Sequence, residues 1–378
     1  MNTTANIILI IALVLVLVGS VIFVSSLAAA DWNFANLDSG KFETNTYDLT
    51  GELTDIAIDS DITDVNIIPT SDGSIRVSCY ELKKVRHSVT LEDGKLLIKD
   101  NDERKWYERI FSFGTPRVDV YIPEGAYTSL AIESDTGDVV VSKGTSFTNV
   151  GIKGSTGDVK FCAAASESLK IELSTGDIEI ENAIAGDVTL TVTTGDIDVE
   201  GLICRSLDTD GDTGEISLDG ITADGAVSIE RDTGDVELQL VSAKDVTVKT
   251  TTGDVEAENI TCSGKFEVSV TTGECELSDV NCQSFVSSGD TGRLTMHRVV
   301  AEGTMSIKRE TGDVRFEKCD ATEVKIETDT GDVVGSFLSD KIIFAESETG
   351  RIDVPKSTVG GKCEIDTDTG KIIIDIEK

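Results

Sequence analysis

Acidic residues recur directly after Thr-Gly pairs: Asp138, Asp158, Asp177, Asp196, Asp235, Asp254, Asp313 and Asp332, joined by Glu215 and Glu274. Carboxylate oxygens are hard ligands, so a file of them suits calcium. Asp138, Asp158, Asp177, Asp196, Asp235 and Asp254 are the candidate metal-binding members of that file. Three arguments favour a structural role. The 19–20 residue spacing matches neither the nine-residue calcium β-roll nor an EF-hand loop. Arg293, Arg351 and Lys371 interrupt the series. A carboxylate accepting a backbone N–H at a corner gains about 1.5–3 kcal/mol, whereas two unit charges ~5 Å apart in water repel by roughly 0.8 kcal/mol.

Catalytic chemistry has little else to work with. Of the two histidines, His87 and His297, neither stands near a nucleophile motif. Polysaccharide-active β-helix enzymes usually shape their clefts with loops inserted between coils, and no interval between Thr-Gly pairs here exceeds 20 residues. An enzyme of that class is the third-ranked reading, and no cofactor is expected.

The elements that position these side chains follow from the repeat. Thr-Gly occurs thirteen times between Thr136 and Gly370, always 19 or 20 residues after the last. A fixed period this short signals a solenoid, in which stacking buries what one repeat cannot. Apolar residues alternate before the glycine (Val188, Leu190, Val192) and again after it with switched parity (Ile197, Val199). Alternation predicts strands, and the switch predicts a corner at Thr-Gly-Asp. Alignment on the glycine gives two columns free of charge, one running from Val139 to Ile372 and one from Leu130 to Cys363. The expected fold is all-β: a parallel β-solenoid of about thirteen coils in sequence order, preceded by one transmembrane helix. The corner threonines have inward parity, which predicts a ladder of shared hydroxyl hydrogen bonds.

The chain of 378 residues carries 69 acidic and 33 basic side chains, a net charge of −36. Phosphate backbones would be repelled, so nucleic acid is excluded as a partner, while cationic peptides remain compatible. Six of the eight cysteines occupy apolar or alanine-equivalent positions and read as small buried hydrophobes. Cys262 and Cys282 fall on neighbouring coils, where a bridge is geometrically open.

Residues 7–30 carry no charge; 24 residues reach about 36 Å as a helix, enough to span a bilayer. The favoured reading is an uncleaved single-pass anchor over 1–30, with the rod outside the cell. The alternative is a signal peptide cleaved near Ala30, with secretion of the rest. Residues 31–50 read as a polar spacer. Residues 51–127 read as a β-rich cap that opens with a degenerate coil, with hairpin turns at Asp72-Gly73 and Asp93-Gly94, and residues 128–378 as the solenoid proper. Within the cap, Arg104, Lys105, Trp106, Tyr107 and Arg109 combine cations with aromatic rings. One reading is a patch that touches lipid headgroups or a partner. The favoured one is a long hairpin loop whose aromatic rings fold back onto the cap.

The repeated Thr-Gly-Asp-Val/Ile units, such as Asp158-Val159, Asp177-Ile178 and Asp235-Val236 after their corners, resemble the bacterial adhesin domain of uncharacterised function. So do Trp32-Asn33-Phe34 and Val77-Ser78-Cys79-Tyr80, which resemble its Clostridia-type members. That domain is a β-solenoid that follows one membrane anchor in Gram-positive envelope proteins. The resemblance implies display at the envelope as a non-enzymatic adhesin, with glycans or envelope proteins as partners, and supplies no catalytic residues. A stress sensor that captures cationic peptides is the alternative. The ladder faces and a tip near Lys378 are the expected contact surfaces.

Overall fold

A computed structural model describes residues 12, 14–25, 42–102 and 115–377. Helix occurs at residue 12 and residues 14–25, and among the described residues no helix is long and apolar enough to cross a membrane. The rest of the segment 7–30, where the sequence predicts an anchor, lies outside the described residues. So do residues 103–114, which hold Arg104, Lys105, Trp106, Tyr107 and Arg109.

Everything else described is strand, turn or bend, and the coils stack in parallel. All thirteen corner threonines fall into one register file: Thr136 against Thr156, Thr156 against Thr175, and so on to Thr330, Thr369 and Thr349. Val188, Leu190, Val192, Ile197 and Val199 are all buried. The two charge-free columns form the core along the whole rod. Their exceptions are Ile343, half-buried, and Ile352, 42% exposed, which belong to the same terminal coil.

At the corner itself the glycine is obligatory. Gly195 has φ +144°, and a Cβ there would sit 2.1 Å from the carbonyl oxygen of Gly176. The same carbonyl contact recurs at Gly214, Gly234 and Gly253. No other residue fits so close a backbone approach at that angle. The expected threonine ladder is overturned. The strands run through the threonines, but the inward–outward alternation breaks one residue early, so all thirteen face solvent, and among the described residues only Thr349 and Thr369 share a hydroxyl bond, at 3.3 Å. Their backbone carbonyls serve the stack instead, as where Gly195 N–H donates to Thr213 O at 2.9 Å.

A second corner was invisible in the pattern. Six residues after eight of the thirteen corner glycines, from Gly176 to Gly312, the backbone turns through positive φ: Asn182 (49°), Gly201 (70°), Gly220 (68°), Leu240 (55°), Asn259 (58°), Asp279 (55°), Arg298 (54°) and Lys318 (55°).

Both ends depart from sequence order. Strands β1 (Phe42–Leu49), β2 (Asp55–Ser60), β3 (Asp64–Thr70), β4 (Ile75–Leu82), β5 (Val85–Glu92), β6 (Lys95–Asp102), β7 (Arg117–Pro123), β8 (Gly125–Thr136) and β9 (Val139–Val141) build the first end. The degenerate coil β2–β3 lies between two later segments: β2 pairs with β6 and β8, and β3 with β7 and β9. Asp93-Gly94 makes the predicted hairpin between antiparallel β5 and β6. Asp72-Gly73 does not make one, because β7 sits between β3 and β4. Residues 42–49, read as spacer, form β1 and pair antiparallel with β4.

At the other end, strand Val314–Thr330 pairs with Gly361–Thr369, which in turn pairs with Lys341–Thr349. The last coil in sequence is thus inserted beneath the one before it. The inserted coil buries Cys363, Ile365, Thr367, Ile372 and Ile374. Residues 341–360 therefore form the tip, which corrects the expectation of a tip near Lys378.

Candidate functional site

The corner carboxylates do form a file, and their oxygens are already engaged by backbone. Asp138 N–H donates to Asp64 Oδ1 at 3.0 Å, Asp158 N–H to Asp138 Oδ1 at 2.9 Å, Asp177 N–H to Asp158 Oδ1 at 2.9 Å, and Asp196 N–H to Asp177 Oδ1 at 2.8 Å. The relay continues from Glu215 N–H to Asp196 (2.7 Å), from Asp254 N–H to Asp235 (2.8 Å) and from Glu274 N–H to Asp254 (2.7 Å). No such bond is made through the side chain of Glu215 or Glu274. A glutamate carries its oxygens one methylene farther from the backbone, past the N–H of the next coil. Each aspartate thus spans one coil-to-coil step as a charge-assisted hydrogen bond. The basic residues that interrupt the file pair with acids: Arg293 with Glu274 at 3.7 Å, Lys371 with Asp332 at 2.8 Å, and Arg351 with Asp353. Lys371 holds the Asp332 carboxyl below its usual range.

Two polar clusters escaped the sequence reading because they sit at inward positions. In the cap, His87 is sealed between two carboxylates, with Nδ1 2.7 Å from Glu81 Oε2 and Nε2 2.6 Å from Asp100 Oδ1. Asn45 Nδ2 donates to the other Glu81 oxygen at 2.6 Å, and the His87 backbone N–H donates to Oε2 at 2.6 Å. Burial alone would lower the His87 pKa, but its bonds to Asp100 and Glu81 outweigh that and raise it to about 9. Burial likewise opposes the Glu81 charge, yet hydrogen bonds from His87 and Asn45 bring its carboxyl below the usual range. Cys79 lies beside them, its thiol pushed up to about 12 by burial and by the neighbouring acids. Cys79, Glu81 and His87 could surround a metal ion. Glu81 and His87 are instead joined directly and are fully hydrogen-bonded, which describes an internal ion-pair network.

In the rod, Arg231 is buried three residues before its corner glycine, in the column of Val192. Its Nε donates to Gly214 O at 2.7 Å, and its terminal nitrogens to Gly195 O and Val192 O. Gly211 leaves the space it fills. Arg309 takes the same place over Gly289 but is held differently: a terminal nitrogen donates to Ser287 Oγ at 2.9 Å, and its buried Nε has no hydrogen-bond partner among the described residues. Parity from the corner glycine would have flagged both arginines as inward.

All eight cysteines are free, and Cys262 and Cys282 stack on adjacent coils without a bridge. A shallow groove of about 520 Å³ runs along the outer face near the far end, lined by Met296, His297, Arg315, Phe316, Asp332 and Lys371. Its cations have acidic partners: Arg315 with Asp313 (3.1 Å), His297 with Glu317 (3.9 Å) and Lys371 with Asp332. Among the described residues, none of these groupings pairs a nucleophile with a free base. What the rod presents is long outer faces of charged side chains.

One family model, described as Toastrack DUF4097, matches residues 53–261, 163–290 and 261–378. The matched segments run without a gap from the degenerate coil to the end. This chain belongs to the Toastrack DUF4097 family. The adhesin-domain resemblance carried by the Thr-Gly-Asp corners therefore pointed to the right group. No curated protein sequence matches it. Solved structures similar to this Toastrack chain include a "putative adhesin" from Bacteroides fragilis, 12% identical, covering 89% of this chain and 98% of that one with a TM-score of 0.26. A "putative lipid binding protein" from Parabacteroides distasonis is 13% identical over 89% and 98%, with a TM-score of 0.26. A "putative cell adhesion protein" from Clostridium sporogenes is 9% identical over 89% and 100%, with a TM-score of 0.18. At such identities and scores, function must be argued from the Toastrack chain's own residues.

Proposed function

We propose that this protein is a non-enzymatic binding and display rod of the bacterial cell envelope. Residues 7–30 hold it to the cell membrane in a single pass, and the solenoid stands outside the cell. The observation that carries the reading is the use of the corner carboxylates. They are spent on coil-to-coil hydrogen bonds, so the repeat builds length and outer face. Adhesin-like contact with glycans or envelope proteins is the first assignment.

The net charge of −36 favours a second reading, capture of cationic peptides by a stress sensor. Binding assays with the full chain separate the two. Affinity for a glycan or matrix panel that holds from low to high salt supports the adhesin. Affinity for basic peptides that collapses with added salt supports the sensor. Protease shaving of intact cells tests the topology: an external rod is digested, whereas an internal one survives.

A further inference from the structure

At the tip formed by residues 341–360 the two core columns end without a further layer among the described residues. Strand Lys341–Thr349 has one neighbour among the described residues, Gly361–Thr369, so its other edge offers N–H and C=O groups for pairing. Inner-column Ile343 is only half-buried there, and Ile352 is exposed. Among the described residues outside the N-terminal helix, eight large apolar side chains are strongly exposed, and four of them, Leu338, Phe344, Ile352 and Val359, lie in this region. Sheet edges are normally blunted by proline, a bulge or inward charge. Lys341 does this at the start of the strand and Pro355 in the return loop, but neither a proline nor an inward charge occurs from 342 to 353.

Charge identifies the occupant. Lys341 is buried against Asp320, so the exposed charges of residues 341–360 are Arg351 and Lys356 against Glu346, Glu348 and Asp353, a sum of 2 − 3 = −1. A mid-rod coil, residues 196–213, has six acids against Arg205. A nearly neutral tip gives a cationic peptide little to bind, yet it lowers the repulsion that keeps two acidic rods apart. The edge is also self-complementary. With Ala345 on a two-fold axis and the strands antiparallel, Glu346 faces Phe344, Glu348 faces Ile342, and no carboxylate faces another.

We infer that two copies of this chain join tip to tip through strand Lys341–Thr349, continuing the sheet across the junction as an antiparallel pair. Contact covers Phe344 and the open ends of the Ile343 and Ile352 columns.

The test is sedimentation of the full chain in density-matched detergent, together with negative-stain imaging. The expected species is a dimer whose rods meet end to end at twice the single length. Ile342 and Phe344 point outward, so Ile342→Glu with Phe344→Glu preserves the coil, sets carboxylates against Glu348 and Glu346, and is expected to give monomers with an unchanged circular dichroism spectrum. Should that double variant unfold, Glu346→Lys, which opposes no carboxylate in the pairing, is expected to leave the dimer intact, while the single outward change Phe344→Glu, which sets a carboxylate against Glu346, abolishes it. A chain monomeric at every concentration overturns the inference. So does a dimer that survives Ile342→Glu/Phe344→Glu, or one whose rods lie side by side.

Discussion

At Asp177 a single carboxylate oxygen joins two coils, through the N–H of Asp196 at 2.8 Å. Asp177→Ala removes that acceptor and is expected to cost about 1.5–3 kcal/mol in chemical denaturation. Asp177→Asn keeps an amide oxygen in place and is expected to lose less than half as much. Calcium should not change either result, whereas a cation file would make the Asn variant insensitive to an ion that stabilises the parent. His87 gives a pH dependence. Its folded pKa of about 9 lies above the ordinary value of 6.5, so its contribution is complete below about pH 6.5 and is lost as pH rises through 9. A 2.5-unit difference corresponds to on the order of 3 kcal/mol. Glu81 works in the opposite direction: its lowered pKa gives stability that is present above its unfolded value and lost in acid. Hydrogen-exchange protection of β4–β6, relative to the base-catalysed rate of an unstructured chain at each pH, is expected to fall between pH 7 and 9, and His87→Gln should flatten that slope.

The rod's strands and first corner were legible in the sequence because each has a periodic chemical marker. Alternation fixed which of Val188 to Val199 point inward, and Gly195 fixed where the parity switches. The second corner was hidden because its occupants share a conformation without sharing chemistry. Asn182 and Gly201 tolerate positive φ, but Leu240, Arg298 and Lys318 adopt it against their preference. The outward turn of the corner threonines was missed for a related reason: parity counts residues, and the chain bends one residue before the count predicts. Leu240 supplies the test. It is 56% exposed with φ 55°, and a left-handed conformation costs a residue with a Cβ roughly 1–2 kcal/mol. Leu240→Gly is expected to raise stability by about 0.5–1 kcal/mol after the entropy lost to glycine, measured as an increase in denaturation midpoint with unchanged slope.

Across the whole molecule, the coil order could not be read from the repeat, since an inserted coil and an appended one have the same period and the same apolar columns. The consequence can be measured. Removing residues 361–378 from an ordinary solenoid would trim one terminal layer. Here it takes away the one neighbour that strand Lys341–Thr349 has among the described residues, so residues 341–360 should lose hydrogen-exchange protection along with the deleted segment, while the coil ending at Thr330 keeps its protection on the inner side. The same interleaving governs how the polypeptide is made. As the chain emerges from the ribosome or a translocon, β2 and β3 have no finished neighbour until residues beyond 141 are available, and the layer at 341–353 stays unsupported until the final strand arrives. The middle of the rod can accrete one layer at a time, but neither extremity can close until the stretch that follows it has been delivered.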